Sequence, residues 1–190
     1  SVTDGDKIQA DQSLFVLRGP ARGILTAERT ILNFVQLLSG TATTVSEYLE
    51  LLGNSNCVLL DTRKTVPGLR LAQKYAVICG GGTNHRFGLD DAFLLKENHI
   101  SAAGSIKDAI LLARTHRPDM PVQVEVENIE ELEEAIESGA NSALLDNFSI
   151  DELVQASKIA KNRIKTEASG NVSKETIAET YSKLHELKVY

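Results

Sequence analysis

Val122-Gln123-Val124-Glu125-Val126 is a short, mostly apolar run, and Asn128-Ile129-Glu130-Glu131 follows it after the single residue Glu127. The run reads as a strand and the following segment as a helix over about 129–138, with Asn128 as N-cap and Glu131 three residues on. Ala143-Leu144-Leu145 is another such run. It ends in Asp146-Asn147 and leads into a helix near 150–161, opened by Ser149 with Glu152. Outward from this pair the same unit recurs. Cys57–Leu60 precedes a helix over 67–79, and Ala92–Leu95 precedes one near 105–115 that opens with Ser105 and Asp108. Ile164–Ala168 is a weaker fifth strand, with a helix from about 174. Repeated strand-then-helix units imply parallel strands joined by right-handed crossovers. The expected fold is therefore α/β, as a (β/α) barrel or an open doubly wound sheet.

Two helices are expected upstream. Ile31, Leu32, Phe34, Val35 and Leu38 give one over 27–38, with Thr26 as N-cap and Ser39-Gly40 as its stop. Val45, Tyr48, Leu49 and Leu52 give the second, ended by Gly53. Residues 2–18 read as turns and short strands, among them Leu14–Leu17, whose sheet partners are expected upstream.

The chain has 190 residues, 42% hydrophobic and 24% charged, a globular composition. Its net charge is −6, and its first hundred residues carry ten charges of each sign. A nucleic-acid partner would call for a net basic face. No stretch approaches the ~18–20 apolar residues of a membrane span, and no signal peptide is evident. Cys57 and Cys79 lack CxxC spacing and read as small buried hydrophobes in a reducing, cytoplasmic setting.

Each apolar run ends in polar residues. The first runs into Asp61-Thr62-Arg63-Lys64, and the second into Lys96, Asn98 and His99. Glu125 lies on the third, Asp146 ends the fourth, and Glu167-Ala168-Ser169-Gly170 ends the fifth. In a parallel barrel these ends gather at one rim, where active sites are built. Arg63, Lys64, Lys96 and His85-Arg86 would concentrate positive charge there, suited to carboxylate or phosphate oxygens. Glu125 and Asp146 are hard oxygen ligands of the kind that hold Mg2+ beside substrate phosphates. Ser169-Gly170, before a helix start at Ser173, offers backbone N–H groups to an anion. The set describes a small polyanionic substrate and a metal-bound phosphorylated one. Gly80-Gly81-Gly82 reads alone as a flexible helix-to-loop connection. The acids from Glu127 to Glu137 read as a helix start whose macrodipole favours negative charge.

Thr26–Thr30, Asp61-Thr62-Arg63-Lys64-Thr65, Gly80-Gly81-Gly82-Thr83-Asn84-His85-Arg86, Leu95-Lys96-Glu97-Asn98-His99, Val124-Glu125-Val126, Leu144–Asn147 and Glu167–Gly170 occur in order over about residues 2–178. In these blocks the chain resembles the quinolinate phosphoribosyltransferases, the carboxylating nicotinate-nucleotide pyrophosphorylases of NAD biosynthesis. The resemblance implies an incomplete (β/α) barrel of the type II phosphoribosyltransferase kind over 26–181. Residues 1–25 would end an N-terminal α/β sandwich domain, and 182–190 would form a divergent tail. It implies quinolinate and phosphoribosyl pyrophosphate as substrates, Mg2+ as cofactor, and nicotinate mononucleotide, pyrophosphate and CO2 as products. Arg63, His85, Arg86 and Lys96 would grip the quinolinate carboxylates, and Thr62 would join the substrate site. Arg29 would reach the neighbouring subunit of a homodimer or larger assembly. Lys64 would meet the phosphoribosyl donor, Glu125 and Asp146 the ribose and metal pyrophosphate, and Ser169 and Gly170 a phosphate.

Against the family pattern, roughly eighty or more N-terminal residues and the last strands fall outside this sequence. Weak or absent turnover by these 190 residues is the resulting expectation. Two other readings are a molybdenum-associated relative acting on another substrate and a fragment that binds anions or pairs with a full-length subunit. The match of Arg29, Arg63, His85, Arg86 and Lys96 to a dicarboxylate site speaks against the first.

Overall fold

A computed structural model describes residues 2–55, 57–170 and 172–177. The chain divides into two compact units. The first joins Ser1–Glu50 to Leu59–His85, and the second joins Leu51–Val58 to the described residues from Arg86 onward. Expectations for 178–190, including the divergent tail, lie outside the described residues.

In the first unit one long helix, α1 (Ala21–Leu52), replaces the two expected. Ser39-Gly40 does not stop it, because the apolar positions Ile31, Val35, Leu38, Ala42, Val45, Leu49 and Leu52 stay in phase across that pair. Thr26 is not its N-cap; inside the helix its hydroxyl donates to the carbonyl of Arg22 at 2.8 Å. Gly53 ends the helix with a φ of 55°, as expected. The strand expected at Leu14–Leu17 does not form among the described residues. Extended backbone needs a ladder partner, and this segment pairs with none in the sheet.

Helix α2 (Arg70–Cys79) follows a Pro67-Gly68 turn closed by the Leu69 N–H to Val66 carbonyl bond of 3.0 Å. The Tyr75 hydroxyl donates to Asp4 at 2.7 Å. That bond and one to Cys79 push the Tyr75 phenol up to about 12. The glycine run after α2 is packed, contrary to the flexible connection expected. A Cβ on Gly80 would stand 2.5 Å from the Ala42 carbonyl oxygen and 2.8 Å from the Val45 Cβ. The expected strand at Cys57–Leu60 reduces to a single parallel bridge between Leu60 and Thr83.

The second unit holds four parallel strands: β1 (Phe93–Leu95), β2 (Val122–Val126), β3 (Ser142–Asp146) and β4 (Lys165–Ser169). They pair in chain order, β1-β2-β3-β4. Right-handed crossovers that always step the same way keep their helices on one face. A doubly wound sheet needs a reversal of strand order, so the choice left open by the sequence falls to the barrel-like winding. Helices α3 (Glu97–Ala103), α4 (Ile106–His116), α5 (Ile129–Glu137) and α6 (Ile150–Ala160) complete the units. Ser105, Asn128 and Ser149 each accept the backbone N–H three residues on, so all three expected caps form. Ser173 opens a further helical turn in the same way, accepting from the Thr176 N–H.

Leu95, Val122, Val124, Val126, Ala143 and Leu145 pack with Ile110, Leu132 and Leu153 in one core. Burying a side chain such as Leu132 stabilises by roughly 1.5–3 kcal/mol. Cys57 is half-buried against this core, and burial pushes its thiol pKa up. Among the described residues no helix is long and apolar enough to cross a membrane.

Candidate active site

In the first unit the loop after Leu60 is held from beneath by one face of α2. Arg70 donates from Nη2 to the carbonyl of Arg63 and from Nε to the Thr65 hydroxyl, both at 3.2 Å. Gln73 accepts the Val66 N–H at 2.7 Å, and Lys74 pairs with Asp61. These positions recur every three or four residues, so they share a helix face. Above them the Lys64 N–H donates to the Thr62 hydroxyl at 2.9 Å. Arg63 is half-buried, and its Nε is shielded from solvent with no hydrogen-bond partner. A guanidinium N–H left so is costly unless an anion meets it. Lys64 is exposed beside it, and His85 lies half-buried at the end of this unit. Arg29 is exposed in the first half of α1.

In the second unit the strand register arranges the remaining residues. Leu95 pairs with Val124, so Lys96 and Glu125 follow side by side; Glu125 pairs with Leu144, and Leu144 with Glu167. Side chains alternate along a strand, and the neighbours Leu95, Val124, Ala143 and Leu145 lie in the core beneath the helices. Lys96, Glu125 and Glu167 therefore occupy the opposite face. Asp146 and Ser169, paired with one another, lie on that face one step nearer the C-terminal ends. Lys96 Nζ meets Glu125 Oε2 at 2.6 Å.

Asn147 links the ends of β3 and β4. Its side-chain amide donates to Asp146 at 2.8 Å, and its N–H donates to the Ser169 carbonyl at 2.9 Å. Gly170 follows with a φ of 88°, and a Cβ there would meet Asn147 Oδ1 at 2.1 Å. Only glycine has both the conformation and the room. Arg86 donates from Nη1 to the Ala92 carbonyl at 2.9 Å, which ties the segment before β1.

The structure thus brings Thr62, Arg63, Lys64 and His85 onto adjoining segments of the first unit. It aligns Lys96, Glu125, Asp146 and Ser169 on one face of the second, with Gly170 beside Asn147. Sequence reading gave no role to Lys74 or Gln123. Lys74 is 1% exposed and Gln123 4% exposed. The available signal was a lysine in phase with apolar Val77 on α2, and a glutamine two residues before Glu125 on the same strand face. Among the described residues, no group of three or more His, Cys, Asp or Glu side chains converges.

Comparisons with known proteins identify the family. Residues 41–186 match the model for the quinolinate phosphoribosyl transferase C-terminal domain, and residues 1–39 the model for the N-terminal domain. A probable nicotinate-nucleotide pyrophosphorylase (carboxylating) of Bacillus subtilis (strain 168) is 44% identical over 92% of this chain and 61% of its own length. The nicotinate-nucleotide pyrophosphorylase (carboxylating) of Mycobacterium leprae (strain TN) is 42% identical over 93% of this chain and 63% of its own. The chain thus spans about three-fifths of these relatives. The crystal structure of NadC from Streptococcus pyogenes superposes with a TM-score of 0.93 at 42% identity, over 99% of this chain and 65% of that one. The parallel sheet, the polar face at its strand ends and the two domain matches agree: this chain belongs to the quinolinate phosphoribosyltransferase family.

Proposed function

We propose that the chain carries phosphoribosyl transfer from phosphoribosyl pyrophosphate to quinolinate with decarboxylation, giving nicotinate mononucleotide, pyrophosphate and CO2. The observation that carries this reading is Arg63: a half-buried guanidinium with an unpartnered Nε, on a loop fixed by α2. Quinolinate supplies two carboxylates, and Arg63, His85, Arg86 and Lys96 are the cations for them. Thr62 and Lys64 serve the substrate site and the phosphoribosyl donor, while Ser169 and Gly170 serve a phosphate. Arg29, exposed on α1, is available to a second subunit of a homodimer.

Glu125 and Asp146 fit Mg2+. They are hard oxygen donors on one face of neighbouring strands, and Mg2+ bound with phosphates takes one or two carboxylates. When bound, the ion neutralises charge on the departing pyrophosphate. The chain's own residues orient the reaction. The pyridine nitrogen forms a bond to the anomeric carbon as the bond to pyrophosphate breaks, its electron pair leaving with pyrophosphate. Glu125 and Asp146 place negative charge beside the developing oxocarbenium character. Cationic contacts to its carboxylates limit how the ring presents its nitrogen, which fixes the line of attack. The adjacent carboxylate then leaves as CO2, its bonding pair passing toward the pyridinium ring, and a solvent proton replaces it. No side chain acts as a nucleophile. Two free cysteines accord with a cytoplasmic setting.

Calorimetric titration of the chain with quinolinate, run beside a CO2-release assay with phosphoribosyl pyrophosphate and Mg2+, tests this. Binding that weakens at least about tenfold in Arg63→Ala is expected, since a charge-assisted hydrogen bond contributes ~1.5–3 kcal/mol. Absence of binding, or binding indifferent to Arg63, would overturn the assignment.

A further inference from the structure

Lys74 is among the largest fully buried side chains of the protein, and its partner Asp61 has a side chain only 7% exposed. Their contacts run across two separate segments. Lys74 Nζ pairs with Asp61 Oδ1 and donates to the His85 carbonyl at 2.8 Å. Asp61 Oδ1 also accepts the His85 N–H at 2.9 Å. The Asn84 amide, turned with its nitrogen inward, donates to Asp61 Oδ2 at 2.7 Å and to the Lys74 carbonyl at 3.0 Å. The Leu60–Thr83 bridge lies alongside, with the Asp61 N–H on the Thr83 carbonyl and the Thr83 N–H on the Leu59 carbonyl.

A buried ion pair is weak evidence of stabilisation, because desolvation offsets much of the attraction. An apolar pair could fill the same space. It could not reproduce the directional bonds that set the Asp61–Thr65 loop against the Asn84–His85 segment. Those two segments carry Arg63 and His85. We propose that Lys74, acting through Asp61 and Asn84, is a positioning residue that locks these segments in register so that Arg63 and His85 present their charges to one dicarboxylate. This rests on the quinolinate reading above. Lys74 itself touches no substrate; its ammonium is consumed by Asp61 and the His85 carbonyl.

The test uses the full chain and the paired change Asp61→Asn with Lys74→Met, which removes both charges and leaves no orphan ion. Amide hydrogen exchange should accelerate at least about tenfold in residues 61–65 and 83–85 together, with β2 and β3 unchanged. Quinolinate affinity should fall about tenfold or more. Adding Arg63→Ala should then weaken binding much less than it does in the parent, the mark of coupled residues. Asn84→Ala, which keeps the ion pair, should move the same two segments by a few-fold and serves if the paired variant does not fold. Faster exchange in only one segment, or in neither, overturns the lock. Faster exchange in both with quinolinate affinity within twofold of the parent overturns the positioning role. A parent that shows the coupled exchange but binds no quinolinate refutes the functional reading while supporting the lock.

Discussion

Lys96 and Glu125 neutralise one another: the ammonium lies 2.6 Å from the carboxylate, between adjacent parallel strands whose register sets them side by side. In the proposed reaction the two have different duties, Lys96 toward a quinolinate carboxylate and Glu125 toward the ribose and metal pyrophosphate. On that reading, substrate binding would exchange their partners. Lys96→Met should weaken quinolinate binding by about 10–100-fold, the range of a charge-assisted bond. Glu125→Gln should leave that affinity unchanged or tighter while slowing turnover. Calorimetry and CO2 release separate the two. Equal losses of quinolinate affinity in both variants would sink the exchange.

Gly170→Ala places a Cβ 2.1 Å from Asn147 Oδ1 in a backbone of positive φ. Destabilisation on the order of 1–3 kcal/mol is expected, or several degrees in the melting temperature. Because Asn147 also holds Asp146, turnover should fall further than stability requires. A melt within a degree of the parent would contradict the close approach.

Glu152 closes the capping box of α6, and its bonds with the Ser149 hydroxyl and N–H hold its carboxyl below the ordinary 4.5. A pKa lowered on folding contributes stability that is fully present above about 4.5 and fades as pH falls through the folded value. Acid titration of stability should therefore be shallower in Glu152→Gln below pH 4.5. Superimposable acid limbs for parent and variant would show the cap to be silent.

Cys57 carries a thiol whose pKa burial raises above the ordinary 9.0, against a weaker lowering by Ser55. In a Cys79→Ser background, its reaction with a disulfide reagent should be slower at pH 8 than that of a small free thiol. The pH midpoint of the rate should lie above 9. A midpoint below 9 would place Cys57 in a more polar setting.

Asn128 and Ser149 were legible as caps because a cap is made by residues three positions apart, and β2 and β3 were legible because short apolar runs bounded by such caps have one reading. Gly40 misled for a local reason as well. It lowers helix propensity, yet the stripe from Ile31 to Leu52 continues in phase through it, and burial of that stripe outweighs about 1 kcal/mol of propensity. Helix α3 is not legible in the sequence, where Lys96, Asn98 and His99 read as the polar end of a strand. In the structure, His99 Nδ1 accepts the Lys96 N–H and starts a seven-residue helix.

The α/β alternation, the caps and the kinds of charge available depend on neighbours a few residues apart, so amino-acid order alone carries them. The winding of the sheet and the partners of the charges arise from packing in three dimensions. Lys74 meets Asp61 thirteen residues away, and Lys96 meets Glu125 across twenty-nine. Such pairs are fixed by helix facing and strand register, and electrostatic energy depends on the distance through space.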